Sequence, residues 1–224
     1  VFKSLTNANV QVDRSELGVQ VAFDKDARTI SVRDNGIGMT AEELDANLGT
    51  IAHSGSEAFK TDNADAQGTD VDIIGQFGVG FYSSFMVASK VRVVSRAFGS
   101  DEVNAWECDG LDGYTIEPAT PEEAALVGDH GTCITLYLRE STEDENTDEL
   151  LSEWRLKELI RKYSNYVRYP VRMEVTKRRQ LPKPDDAPED YKPEWESYTE
   201  LETINSIKPI WKKAKSEVSQ EDYD

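Results

Sequence analysis

The sequence predicts an α+β fold: a two-layer sandwich whose mixed, mainly antiparallel sheet carries its helices on one face. Three observations predict it. Short runs in which apolar and polar residues alternate recur along the chain, the signature of half-buried strands. Two stretches have helical spacing, one after a capping signal and one after a run of acids. The order of these segments is mixed, with strands following strands through turns, which favours separate layers of sheet and helix.

Val19, Val21 and Phe23 alternate with polar residues, Asp24–Ala27 supplies a turn, and Ile30 and Val32 alternate again. This is a β-hairpin with one buried face, ending at Asp34. Thr40 and Glu43 fit a capping box, so a short helix is expected over Ala41–Leu48. The stretch from Gly49 to Asp72 is rich in Gly, Ser, Thr, Asp and Ala, with weak periodicity. Its length beside a candidate site suggests a lid. Phe81–Ser89 has the apolar character of a helix, and Val91, Val93 and Ser95 alternate as a strand. Further strands are expected at Ala105–Asp109, Gly113–Glu117 and Thr132–Leu138. The acids of Glu143–Glu149 form a solvated helix start, suited to the positive end of a helix containing Leu156, Leu159, Ile160, Tyr163, Tyr166 and Val167. Pro170 stops that helix, and Val171, Met173 and Val175 alternate as a strand. Pro182, Pro184, Pro188 and Pro193 mark a solvated loop before a returning strand at Tyr198–Ile204. Trp211–Lys215 and the acidic end lead toward another domain, so residues 1–212 are expected to form the domain and 213–224 the start of a linker.

Composition narrows the function. The chain has 224 residues, 38% of them hydrophobic and 30% charged, and 25 Lys and Arg against 43 Asp and Glu leave a net charge of −18. Such a field repels a nucleic-acid backbone, so no nucleic-acid partner is expected, and any phosphate must be held locally by backbone amides. No apolar run approaches the ~18 residues of a membrane span, so no membrane partner is expected. Cys108 and Cys133 fall in strand patterns and are expected as buried small side chains, with a reducing cytoplasm as the default location. No signal peptide is visible. The chain begins at Val1 rather than Met, so the natural start is expected to lie upstream.

The chemistry gathers in two glycine-rich segments, Asp34-Asn-Gly-Ile-Gly-Met39 and Gly75-Gln-Phe-Gly-Val-Gly-Phe81. A carboxylate at a strand end, followed by glycines that turn the backbone away, reaches into a pocket and needs a donor there. The exocyclic amine of adenine is such a donor; a solvated Asp in a plain turn is the alternative. Glycines before an apolar segment can hold a phosphate chain in backbone amides. The dinucleotide reading needs a strand before this loop, whereas Gly68–Asp72 are polar, and the Walker reading fails because no Gly-Lys-Ser/Thr follows. Nothing in the sequence has the spacing of a zinc site or supports a Ser–His–Asp arrangement.

Asp34–Met39, Asn47–Ala52 with Ser54 and Gly55, Ile74–Tyr82 and Gly131-Thr132 together resemble the N-terminal ATPase domain of the ninety-kilodalton heat-shock chaperones, in their bacterial form. The likeness continues through Trp154–Tyr166 to Ile204–Lys215 and so covers nearly the whole chain. The wider superfamily includes gyrase, histidine kinases and mismatch-repair ATPases, with the GHKL or Bergerat-type ATPase fold. The resemblance implies ATP or ADP as ligand with Mg²⁺, client proteins as partners, and a homodimer in the full-length form. It implies that Asp34 binds the adenine amine, partly through water, that Gly38 and Met39 line the base, and that Asn47, beside Leu48, faces the sugar or phosphates. Gly78, Val79, Gly80 and Phe81 would wrap the phosphates, Thr132 would sit beside Asp34, and the lid with Ser54 and Gly55 would close over the nucleotide.

The family's catalytic Glu, its Mg²⁺-binding Asn and a sugar-side Asp belong to an earlier helix that this chain lacks, together with the family's first strand. Glu16, Glu42 and Glu43 do not match that motif, so no catalytic residue is assigned. A fragment is the expected explanation, with a naturally degenerate form as the alternative. Weakened nucleotide binding, little turnover, and a bared flank of the sheet are expected. His53 stands where the family usually has Lys and is expected to be solvated, and His130 is expected in a turn beside Thr132. Trp154 and Trp211 are expected in core or interface packing. Two rival readings are another ATPase of the superfamily and a non-catalytic nucleotide-sensing module.

Overall fold

Period-2 alternation builds the sheet. In the computed structural model, which describes residues 15–49, 79–182 and 193–207, Val19–Asp24 (β1) and Thr29–Asp34 (β2) form the expected antiparallel hairpin. Asp24 Oδ1 closes its turn by accepting from the N–H groups of Asp26 (2.8 Å) and Ala27 (2.9 Å). Helix Ala41–Leu48 (α1) starts at the expected box: Thr40 Oγ1 accepts from Glu43 N–H, and the Glu43 carboxylate accepts from Thr40 N–H. There follow Ala88–Arg96 (β3), Val103–Cys108 (β4), Tyr114–Pro118 (β5), helix Pro121–Val127 (α2) and Gly131–Leu138 (β6). Helix Glu153–Ser164 (α3), Val171–Gln180 (β7) and Trp195–Thr203 (β8) complete the described strands and α-helices. The eight strands pair in the order β5-β4-β3-β6-β2-β1-β7-β8, antiparallel throughout except for the parallel pair β1–β7. This is the mixed, mainly antiparallel sheet of an α+β sandwich.

Consecutive strand residues point to opposite faces, and the core clusters separate accordingly. On one face α3 covers β1, β2 and β7: Leu156 and Ile160 pack with Val21, Ile30, Met173 and Val175. On that same face α1 lies over β3 and β4, where Leu44, Val91, Val93 and Trp106 form a second cluster. The next residues along, Val94, Ala105 and Cys133, face the other way and meet Val127 of α2. The expectation of helices on one face alone is corrected by α2, a helix not expected at all, although Thr120, Pro121 and Glu123 give it a capping box with proline in the first turn. Arg92 helps to fix it to the sheet, pairing with Glu123 of α2 and with Glu107 and Glu117 on neighbouring strands.

Other expectations need correction. The apolar segment after the glycine loop is a 3-10 helix, Gly80–Met86, and β3 already begins at Ala88, inside the helix expected over Phe81–Ser89. Ser83 Oγ and Ser84 Oγ donate to the carbonyls of Gly80 and Phe81, each at 2.6 Å. Such local bonds compete with an α-helical ladder. Trp154 is 72% exposed, so of the two packing roles expected for it the core is excluded and an interface is not. Cys133 is buried as expected, but Cys108 is only half-buried. Among the described residues no helix is long and apolar enough to cross a membrane. The glycines Gly75 and Gly78, the lid from residue 50 to Asp72 with His53, Ser54 and Gly55, Trp211, and the expected domain limit at residue 212 lie outside the described residues.

Candidate functional site: a carboxylate and a glycine turn at the end of three strands

Asp34 is the last residue of β2, directly opposite Thr132 of β6. Its Oδ1 accepts from the Gly36 N–H at 2.8 Å, and its other oxygen has no donor among the described residues. Gly36 has little room for a side chain, since a Cβ would lie 2.7 Å from the Asp34 carboxylate. The Gly36 carbonyl accepts from His130 Nδ1 at 2.7 Å, and the His130 ring packs against Phe98. Withdrawal from water raises the Asp34 carboxyl above its ordinary value, against the lowering pull of the Gly36 N–H and of His130. A desolvated carboxylate with one oxygen unserved suits a ligand that brings its own N–H donor.

The Asp34–Met39 turn is stitched to the sheet. Phe98 N–H donates to the Ile37 carbonyl at 2.7 Å. Gly38 has φ +62° and lies so close to β3 that a Cβ would fall 1.8 Å from the Arg96 carbonyl oxygen. Met39 N–H donates to Ser95 Oγ at 2.9 Å. Ser95, fully buried, donates to the Gly131 carbonyl at 3.0 Å and stands 2.9 Å from Thr132 Oγ1. A hydroxyl has one proton and two lone pairs. Ser95 spends its proton on Gly131 and accepts from Met39 N–H and the Thr132 hydroxyl, so its capacity is full. The strand register brings this about, because Ser95 stands opposite Thr132 just as Asp34 does on the other side of β6.

Met39 links this end of the site to the other. With Leu48 and Phe81 it packs against the Leu44–Trp106 cluster, and Asn47 Nδ2 lies 3.9 Å from its sulfur. The Tyr82 hydroxyl donates to the Leu48 carbonyl at 3.0 Å, tying the 3-10 helix to the end of α1. The Phe81 ring meets Trp106 edge-on, with centroids 5.6 Å apart. Val79 and Gly80 are exposed at the start of that helix. Asp34, Gly38, Met39, Asn47, Leu48, Phe81 and Thr132 are thereby gathered around one hydrophobic cluster and the strand ends beside it. Ser54, Gly55 and Gly78 lie outside the described residues.

Glu43 is engaged in capping α1, and Glu42 and Glu16 are exposed. Among the described residues no three His, Cys, Asp or Glu side chains come together to hold a metal ion, so no Mg²⁺ ligands are assigned here. Sequence reasoning missed Ser95, which carried no signal beyond being a polar residue in an apolar strand. It placed His130 in its turn but not against Gly36.

Residues 5–132 match the family described as histidine kinase-, DNA gyrase B-, and HSP90-like ATPase. The chain is 50% identical over 223 residues to the chaperone protein HtpG of Shouchella clausii (strain KSM-K16). It is 48% identical over the same length to the proteins of that name from Clostridium botulinum (strain Loch Maree / Type A3) and Bacillus subtilis (strain 168). Each match covers 100% of this chain and 33% of the relative, so the chain spans about a third of the length of the curated relatives it matches.

Proposed function

On the premise that this chain belongs to the histidine kinase-, DNA gyrase B- and HSP90-like ATPase family, we propose that it is the nucleotide-binding domain of an HtpG-type, ATP-dependent molecular chaperone. The observation that carries the reading is the desolvated Asp34 carboxylate, held beside Thr132 and facing the turn that Ser95 fixes. In this reading Asp34 accepts from the adenine amine, and Gly38 and Met39 line the base. Thr132 orders the polar groups beside Asp34, and Asn47, beside Leu48, faces the sugar or phosphates. Ser54, Gly55, Gly78, Val79, Gly80 and Phe81 serve the phosphates. ATP supplies the free energy of phosphoryl transfer to water, and this chain's residues bind and orient it. In the longer protein, lid closure and hydrolysis drive a clamp that remodels client proteins, as a homodimer in the cytoplasm.

The test is calorimetric titration of the chain with ADP and ATP, alongside Asp34→Asn. Asn keeps an oxygen for Gly36 N–H but loses the charge, which weakens the bond to the base amine. Affinity should fall about ten- to a hundredfold. Stability should move the other way. A carboxyl raised by desolvation binds more protons in the folded state than in the unfolded, so stability drops as pH rises from the ordinary Asp value through the raised folded one. Unliganded D34N should therefore melt above the parent near neutral pH, and the gap should close as pH falls toward the carboxylate range. Equal nucleotide affinity in parent and D34N would remove Asp34 from the site.

A further inference from the structure

The face of the sheet opposite Asp34 carries a group of residues that nucleotide binding does not use. Arg33 of β2 and Arg172 of β7 each stand directly across from Gln20 of β1. Two strand spacings put their Cα atoms about 10 Å apart, with the side chains on one face. The row reads guanidinium, amide, guanidinium. Over it lies a hollow of about 140 Å³, walled also by Gly18, Asn35 and Leu201. Among the described residues no carboxylate lines it.

That absence has weight in a chain with 43 acidic residues. Arg92, on the same face, is held by Glu107, Glu117 and Glu123. Arg33 and Arg172 have no ion-pair partner among the described residues, although both are partly buried. The rim between them is fixed. Asn35 Oδ1 accepts from Gly18 N–H and its Nδ2 donates to the Glu16 carbonyl, each at 2.9 Å, which fixes the amide and leaves its second Nδ2 hydrogen unspent. Gly18 admits the Arg172 guanidinium, since a Cβ there would come within 3.0 Å of Nη1. The donors left over are two planar forks, the Gln20 amide and the second Nδ2 hydrogen of Asn35. A second hollow of about 170 Å³ shares Arg33 and Asn35 but also carries Glu16 and Asp129, which disfavour an anion there.

We propose that the hollow between Arg33 and Arg172 binds a small oxyanion, a phosphate group or a carboxylate, with Gln20 as an additional donor. Guanidinium forks match both anions in geometry and bind them more strongly than neutral donors do. The space is well below the ~300–1,000 Å³ of pockets for drug-sized ligands, so it suits one anionic group rather than a whole nucleotide.

The test is an amide NMR titration of the 224-residue chain with inorganic phosphate and, separately, with triglutamate, each repeated under saturating ADP. The expected result is saturable shifts at Gly18, Gln20, Arg33 and Arg172 that persist with ADP bound. Affinity should fall at least tenfold in R33Q/R172Q and only partly in R33K/R172K, which keeps the charge but loses the forks. Response to phosphate alone assigns a free anion, and response to triglutamate alone assigns the acidic side chain of a partner. Shifts that never saturate, shifts confined to Asp34–Met39 and Val79–Phe81, or unchanged affinity in R33Q/R172Q would each overturn the proposal. Thermal unfolding of each variant checks its fold; if the double variant does not fold, R33K and R172K singly decide, and an affinity unmoved in both counts against the site.

Discussion

Ser95 and Gly80 belong to opposite ends of one candidate pocket, and their surroundings are opposite too. Ser95 has no exposed surface, and its hydroxyl meets Met39, Gly131 and Thr132. Gly80 is exposed, and a side-chain atom there would meet nothing within 4 Å among the described residues. The end proposed for the base is built by strand register, so its donors and acceptors are already oriented before any ligand arrives. The end proposed for the phosphates takes its form from a short 3-10 helix held by local serine bonds. A preorganised site lowers the ordering cost of binding. An open one can change shape when the ligand enters. Substitutions at the two ends should therefore fail in different ways: at the base end through the fold, at the phosphate end through the ligand.

The largest effect should come from Gly38→Ala. The backbone there is left-handed, and the added carbon would sit 1.8 Å from the Arg96 carbonyl oxygen. Since that atom belongs to the backbone of β3, it cannot swing aside as a side chain would. The turn must leave the sheet, breaking the Phe98–Ile37 and Met39–Ser95 bonds with it. A loss of ~3 kcal/mol or more is expected, read as a fall in the denaturant midpoint. Unchanged stability would mean that the turn is not anchored as described, and the contrast between the ends would vanish.

Ser95→Ala should come next. It leaves the Met39 N–H and the Gly131 carbonyl without their partner and the Thr132 hydroxyl without its acceptor, in a site closed to solvent. About 2–3 kcal/mol should be lost, with nucleotide affinity falling as well because Thr132 and Met39 are released. Ser95→Thr keeps the hydroxyl but adds a methyl to a fully buried position, so it should restore part of the bonding at the expense of packing. If S95A kept full stability and lost only affinity, the cluster would be a ligand device rather than part of the fold.

The same contrast explains what was legible in the sequence. Asp34, Gly36 and Gly38 declare themselves because a close turn admits few residue types, and their spacing survives in one line of text. Hairpin β1–β2, α1, and the alternation of β3, β6 and β7 were legible because each follows a local period or cap. Ser95 was not, because its role comes from register between β3 and β6, residues far apart in the chain. Helix α2 was overlooked although Thr120 and Glu123 form its box; its apolar side is brief, and Val127 alone is buried. The Phe81–Ser89 segment misled because apolar spacing reports burial, not pitch. Phe81 and Phe85 do pack against the Trp106 cluster, yet the serines between them satisfy their own turn.

Gly80→Ala should have the smallest effect on the fold and, for that reason, decides most about the phosphate end. Gly80 is not among the residues with left-handed backbone, and its surroundings are open. An alanine that fits without strain stabilises by about 0.4–1 kcal/mol, because the unfolded chain has fewer conformations to lose. The melting temperature should stay level or rise slightly. If a phosphate chain comes up against this backbone, the added methyl stands in its way, and ADP affinity falls while the fold is untouched. That pairing, a stable protein with a weaker ligand, is the reverse of what Gly38→Ala should do. A variant with both stability and affinity unchanged would place the phosphates elsewhere, and the glycine at position 80 would then serve neither the fold nor the nucleotide.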